Sequence, residues 1–570
     1  MPSIILPRMA GFLSRLIVDR TAGWSLIPTT YVMVRFRAKR CNEASRFGQK
    51  TSSNREAGSF CTESLGDRRI PSIVRRSVAN TASSARPIAY TWLTQTPGAI
   101  TPDDIILSAP SYPESLPRSD DVPIFLVTSA FASWIELSSH IFPEQWMSHF
   151  FSGSTDPVHS IFAIVDKLPD TRPHALQNGE SPCGQEADGI SVLLVSRDNV
   201  QGQLAAPRRA RSMEATDSGL VFSIPTSDTQ ASNGGFKKSI HEVGLRLANT
   251  IFINGKQNTL FGARWIYNTA AKRYTLDCAL DLSNCIVTSP AANVSDSFEL
   301  PLYPVGQRRR VISSMGNILR QLSKHTDKHS QDPMPASLEL EKDLPRYIAE
   351  HNITDQRVSV WALIETSEEG YTAGKEASQE SLVEAIRKGG KLHRVMSGGG
   401  GWGKKQGLLS LDPETTFMES TQKDRLLGLE GLFTAGDAEV STNSLPPPPP
   451  PPFEMRGFGE DLSTLSQAAG PGDYVQFFVS VEPSHPDWPA SRTGGNAFHF
   501  GVVSDAEAVP LQRESAEQKD LRVVPGYFGG LSEKAITYVQ PMARKESTGE
   551  VHESSSKFDI PGCRVALELN

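Results

Sequence analysis

The chain has 570 residues, including 44 Gly and 40 Pro, and its 57 basic and 64 acidic side chains leave a net charge of −7. Hydrophobic residues make up 38%, enough to build a sizeable core, which excludes a wholly disordered or fibrous chain. No run approaches the ~20 apolar residues that span a bilayer, which argues against an integral channel or transporter.

Charge divides the chain. Residues 1–100 hold 13 Arg, 2 Lys and 5 Asp or Glu, a net of +10, and the remainder nets −17. An Arg-rich, Ser-rich, acid-poor start has the composition of a mitochondrial transit peptide. Ile4, Ile5, Leu6, Met9, Phe12, Leu13, Leu16 and Ile17 stand between Arg8, Arg15 and Arg20. That is the pattern of a basic amphipathic helix, drawn by anionic membranes and an inward-negative potential. A second basic stretch runs from Arg68 to Arg86. Residues 1–90 are therefore expected to be a disordered presequence and linker. The expected location is mitochondrial, in the matrix, with the cytoplasm as the alternative.

Short apolar runs at 122–131, 160–168 and 189–198 predict buried strands, and the segment after Phe131 predicts a helix joining the first two. Residues 170–190 and 200–236 read as loops, rich in Pro, Ser, Asp, Asn and Gly. TIFING (250–255) and LFGARWIYN (260–268) predict a hairpin, and RYTLDCALDL (273–282) a half-buried strand. Val311, Ile312, Met315, Ile318, Leu319 and Leu322 fall at helical spacing and predict a helix over 311–324, preceded by Arg308, Arg309 and Arg310. Helices are also expected over 337–351, with a start or kink at Pro345, and over 381–390. In the latter, Ser381 and Glu384 have capping-box spacing and Gly389 is the stop. Strands are expected at 357–365, 474–482, 497–504 and 563–569. Pro446 to Pro452 form a run that favours a stiff polyproline II rod.

These elements predict an α+β fold, with mixed α/β as a variant. The expected organisation is a body over 100–425, a flexible Pro-rich insertion over 426–470, and a C-terminal β segment over 471–570 that packs on the body.

Six cysteines occur, at Cys41, Cys61, Cys183, Cys278, Cys285 and Cys563, with no CxxC. This argues against a zinc ribbon, a thioredoxin-like site or a disulfide scaffold. A Cys278–Cys285 disulfide remains open on spacing. His241-Glu242 begins an HExxH-like string, but Leu245 stands where the second His is required. His325 and His329 have i,i+4 spacing without nearby cysteines, so no metal is expected. His499, between Phe498 and Phe500, reads as a core or sheet-face histidine.

The most distinctive segment is Gly398, Gly399, Gly400, Gly401, Trp402, Gly403, Lys404 and Lys405. It fits G-x-x-x-x-G-K, whose glycines let backbone N–H groups curl around phosphates. Lys405 stands where the Mg²⁺-binding hydroxyl is needed, and Gly407 and Pro413 disfavour the helix that should follow. A broader reading makes it a loop contacting RNA, with Trp402 stacking on a base and Lys404 and Lys405 on phosphates. The bland reading is a tight loop with solvated lysines. Arg308, Arg309 and Arg310 form a second basic patch for RNA, against a plain solvated surface.

The stretch SGGGGWGKKQGLLSLDPE (397–414) resembles uncharacterised fungal proteins with mitochondrial-type starts. The resemblance implies location and no activity. The leading expectation is a mitochondrial binding or assembly factor contacting RNA, the ribosome or a mitochondrial protein complex, with no cofactor. The alternatives are an enzyme binding a nucleotide or phosphorylated ligand at Gly398–Lys405, and a scaffold whose proline run meets a proline-recognition partner in the cytosol.

Overall fold

The computed structural model describes residues 88–109, 120–136, 141–151, 154–170, 186–205, 219–228, 237–251, 259–325, 332–351, 353, 358–366, 379–398, 407–418, 423, 425–434, 467–480, 496–504, 520–541 and 553–569. Residues 1–87, the proline run and 399–406 lie outside the described residues, and Ile88 to Tyr90, expected in the disordered linker, begin a strand instead.

β1 (Ile88–Thr94) leads to α1 (Pro102–Ser108). The Thr101 N–H donates to Asp104 Oδ2 at 2.8 Å, and the Asp104 N–H returns to Thr101 Oγ1 at 3.4 Å. This capping box, with Pro102 in the first turn, satisfies N–H groups that a helix start otherwise leaves open. β2 (Asp121–Thr128), a 3₁₀ turn (Ser129–Ile135), α2 (Ile141–Phe150) and β3 (Val158–Val165) form the expected strand–helix–strand unit. β2 and β3 pair in parallel, with Ile124 opposite Ile161.

β4 (Leu168–Pro169) and β5 (Glu186–Ser196) follow. The loop expected over 200–236 is corrected: it contains β6 (Val200–Leu204) and β7 (Gly219–Asp228), and β8 (Lys237–Arg246) comes directly after. β6 and β7 are held by β10 (Arg273–Thr288), a partner remote in sequence. β9 (Leu260–Asn268) makes its hairpin with β10, through a turn where Lys272 takes φ 52°, so the hairpin partner expected at 250–255 is also corrected. Cys278 and Cys285 lie seven positions apart along β10, about 20 Å of strand, too far for a disulfide.

β11 (Val294–Glu299), β12 (Tyr303–Met315) and β13 (Ile318–Ser323) come next. The helix expected over 311–324 is a β-hairpin, with Met315 opposite Ile318. Gly316 takes φ 59° at the first central position, which a two-residue type II′ turn reserves for glycine. The β-branched Val311, Ile312 and Ile318 suit strands as well as the apolar spacing suits a helix. β14 (Pro333–Pro335), α3 (Ser337–Glu350), β15 (Ser359–Glu365), α4 (Gln379–Arg387) and β16 (Lys391–Gly398) follow. α3 carries Pro345 inside it. α4 begins at Gln379, so Ser381 sits within its first turn rather than at its cap. Gly389 ends it with φ 96°.

β17 (Leu409–Leu411), β18 (Leu427–Gly428), β19 (Tyr474–Ser480), β20 (Asn496–Val502), β21 (Leu521–Pro525), β22 (Tyr527–Ser532), β23 (Ile536–Pro541), β24 (Glu553–Phe558) and β25 (Arg564–Leu569) complete the chain. Residues 427–434 differ from the flexible insertion expected there: β18 pairs with β6, and Leu429, Leu432 and Phe433 are buried in the main core.

The class is α+β with strands dominating. A 14-stranded sheet runs β21-β1-β5-β2-β3-β9-β10-β7-β8-β23-β24, with β4, β6 and β18 branching from it. One face packs on α1 and α2 through a core rich in aromatics, where Phe125 stacks on Phe162 at 4.6 Å and meets Trp146 edge-on at 5.0 Å. The other face packs on a four-stranded sheet, β11-β25-β20-β22, with Phe222 of β7 stacked on Phe500 of β20 at 5.1 Å.

The remaining strands close a six-stranded antiparallel barrel in the circuit β12-β19-β15-β16-β17-β13-β12. Closure removes the unpaired edges that such short strands would otherwise expose. Val311, Leu319, Leu322, Ala362, Ile364, Leu411, Val475 and Phe477 fill the interior core. Trp361, Leu363, Leu392 and Phe478 belong instead to the main core, which fastens the barrel to the sandwich.

Candidate functional site

The barrel organises the residues singled out by sequence. Arg308, Arg309 and Arg310 lie in β12, not before a helix. Arg308 pairs with Glu365 at 2.9 Å and lies over the Tyr474 ring at 4.9 Å. Burial pushes the Glu365 carboxyl up, and the Arg308 charge opposes that shift. Arg309 donates to both oxygens of Glu339 at 3.3 and 3.0 Å and to the Lys324 carbonyl at 2.6 Å. Gly306 makes room for this contact: with φ 69°, its absent Cβ would fall 2.8 Å from Glu339 Oε1. Arg310 donates its backbone N–H to Ser323 Oγ at 3.1 Å. Two of the three guanidiniums are thus committed to carboxylates of this chain, and neither is a solvated surface charge.

Gly398 ends β16 opposite Leu409 of β17. A Cβ there would stand 2.1 Å from the end of the Leu409 side chain and 3.0 Å from the Leu408 carbonyl oxygen, so a larger residue would require Leu409 to shift. Residues 399–406, including Trp402, Lys404 and Lys405, connect two antiparallel barrel strands. A P-loop opens a helix whose N-terminal N–H groups help hold phosphate. Among the described residues, the next element after β16 is β17.

The hairpin tip of β12 and β13 and the end of β16 meet at one rim of the barrel. Ser397 is opposite Ser410, and Ser410 is opposite Ile318. This rim exposes Met315 and Met396, each 62% accessible, beside exposed Arg320, Ser397 and Gly398. Sequence reasoning missed Met315 and Met396. A helical reading of 311–324 placed Met315 on a buried face; the Gly316-Asn317 pair was the signal for a hairpin tip.

Other candidates disperse. His241 lies in β8, with Nδ1 2.7 Å from Tyr538 Oη, and Glu242 pairs with Lys423 at 2.7 Å. His325 is 3.7 Å from Asp332 at an exposed bend, and His329 lies outside the described residues. Among the described residues no three His, Cys, Asp or Glu side chains group as metal ligands, and no helix is long and apolar enough to cross a membrane. His499 sits on a sheet face, with Tyr527 edge-on at 4.9 Å. No family model, curated protein or solved structure matches the chain.

Proposed function

We propose that this chain is a mitochondrial binding factor that contacts RNA or a ribonucleoprotein surface through the rim of its six-stranded barrel. The observation that carries the reading is the strand-to-strand connection 399–406, which places Trp402, Lys404 and Lys405 in sequence between two strands of that rim. Barrels present ligand-contacting loops from their ends, and an aromatic ring beside lysines offers stacking and phosphate contact in one segment. Met315 and Met396, exposed near the ends of β12 and β16, add adaptable apolar surface. Arg320 adds charge.

Contact confined to a rim suits a chain whose residues after 100 are acidic overall, since a broad basic footprint is missing. Arg308 and Arg309 are left out of the contact surface because Glu365 and Glu339 hold them. The Arg-rich start motivates the mitochondrial location. Ultraviolet crosslinking of the full chain in intact mitochondria, followed by peptide mapping, tests the reading. Crosslinked RNA on the peptide around Trp402 is expected. RNA absent from the chain, or attached only at remote peptides, contradicts it.

A further inference from the structure

The large sheet carries a seat at β6 that the chain fills with its own residues 427–434. β6 pairs with β10 along one side and with β18 along the other, Leu427 opposite Gly202 and Gly428 opposite Gln201. A helical turn over 429–434 follows and puts Leu429, Leu432 and Phe433 into the main core. A Cβ on Gly202 of β6 would stand 3.1 Å from Leu432 Cδ1, and one on Gly262 of β9 would stand 3.5 Å from Phe433 Cζ. Leu282 of β10 reaches both, its Cδ1 3.8 Å from each position. The His159 ring meets Phe433 at 4.9 Å, and the Arg264 guanidinium lies over Phe433 at 5.5 Å. Arg197 pairs with Glu430 at 2.6 Å.

The occupant is held more lightly than the strands it touches. Its pairing with the sheet is two residues long. Leu427, Gly428, Glu430, Gly431 and Thr434 are exposed, so burial of Leu429, Leu432 and Phe433 must offset the ordering of the whole segment. The Glu430 side chain is 72% accessible, where an ion pair adds little. Gly428 and Gly431 weaken the contact further, and nothing in the geometry requires them. Neither takes a positive φ, a Cβ at Gly428 meets nothing within 4 Å, and one at Gly431 makes an ordinary contact with the Leu427 Cβ at 3.7 Å. Alanine fits at both and would hold the closed turn better, because glycine loses more freedom on ordering. A segment with so few buried contacts opens below the free energy of global unfolding.

We propose that the seat is a recognition site for peptides of the pattern Leu-x-x-Leu-Phe, shut in the free chain by residues 427–434 as an autoinhibitory latch. An incoming peptide adds to the β6 edge as β18 does and places its second leucine and its phenylalanine over Gly202 and Gly262. An acid directly after the first leucine meets Arg197, as Glu430 does. The latch is tethered beside its seat at high effective concentration, so a peptide in trans binds only when the latch opens.

The test is fluorescence anisotropy of a labelled peptide of residues 425–436 added to the full chain. Leu432→Ala with Phe433→Ala vacates the seat, and the peptide should bind that variant about tenfold or more tighter than the unaltered chain. The peptide carrying Phe433→Ala should bind the variant about tenfold more weakly than the unaltered peptide. Hydrogen exchange of the full chain adds a readout that does not depend on the double variant folding. Amides of 429–434 should exchange faster than those of β9 and β10, and Gly431→Ala should slow them about two- to fivefold. No peptide binding to the folded double variant, equal binding to the unaltered chain, or equal binding of the Phe433→Ala peptide would each overturn the proposal. So would exchange of 429–434 at the rate of β9 and β10, unmoved by Gly431→Ala.

Discussion

Arg309 of β12 donates through Nη2 to both carboxylate oxygens of Glu339 in α3, and the pair is nearly sealed, with side chains 11% and 5% accessible. The contact ties a barrel strand to the helix packed beside it. It also takes a charge that sequence alone offers to RNA. Removing one partner of such a pair leaves a buried, uncompensated charge, which costs about 3–5 kcal/mol. Glu339→Ala is therefore expected to destabilise the chain by that amount in urea unfolding. Arg309→Met with Glu339→Leu should recover most of the loss, because neither charge then remains. An exposed pair would show under 1 kcal/mol for Glu339→Ala.

The barrel is fastened to the C-terminal strands by a second polar contact. Trp361 Nε1 donates to Asp559 Oδ1 at 2.7 Å, while Arg394 reaches Oδ2 at 3.4 Å. Asp559→Ala strands a buried indole donor, at a cost of about 1–3 kcal/mol. Asp559→Asn keeps an acceptor for Trp361 and should lose less. Thermal unfolding of the two variants separates them.

Acid should weaken the fold through its buried histidines. Burial, with Arg197 and Arg264 adding to it, lowers His159 to about 4, and burial with Arg564 lowers His499 to about 4. Below pH 6.5 the unfolded chain takes up these protons before the folded one does. Stability then falls from pH 6.5 to 4, by up to about 3 kcal/mol for each histidine. Glu299 acts at the other end. Its folded carboxyl holds the proton to about 8 while the unfolded one ionises near 4.5, so its effect is a loss of stability as pH rises between them. Urea unfolding across pH should show His159→Gln flattening the acid limb and Glu299→Gln the alkaline one.

The strands at 122–128 and 158–165 were legible because each is an apolar run bounded by turn-formers, whereas the helix expected directly after Phe131 is a 3₁₀ turn ending at Ile135, and α2 starts at Ile141. The hairpin of β12 and β13 was not, because Val311, Met315, Ile318 and Leu322 satisfy a helical stripe as readily as two short strands. What decides it is tertiary: β12 and β13 are the strands that close the barrel circuit. Strands β6 and β7 were hidden for a related reason. Gln201, Gly202 and Gln203 have no local strand signal, and their partners on β10 lie about 80 residues away. The partners of Arg308 and Arg309 were hidden in the same way, since Glu365 and Glu339 meet them only after the barrel forms.

The targeting reading makes its own prediction. A tagged full chain should enter mitochondria, and a version lacking residues 1–86 should remain in the cytosol. Equal distributions of the two would contradict the Arg-rich start as the address.

The central claim is tested most directly by salt-dependent binding of the full chain to a single-stranded RNA, followed by fluorescence anisotropy. The account predicts that Trp402→Ala weakens binding at every salt concentration, by about 1–3 kcal/mol. Lys404→Ala with Lys405→Ala should lower the salt slope by about 1.4, two single-strand phosphate contacts. Binding that is absent, or that survives all three substitutions with its slope intact, would contradict the barrel rim as the RNA-contacting surface.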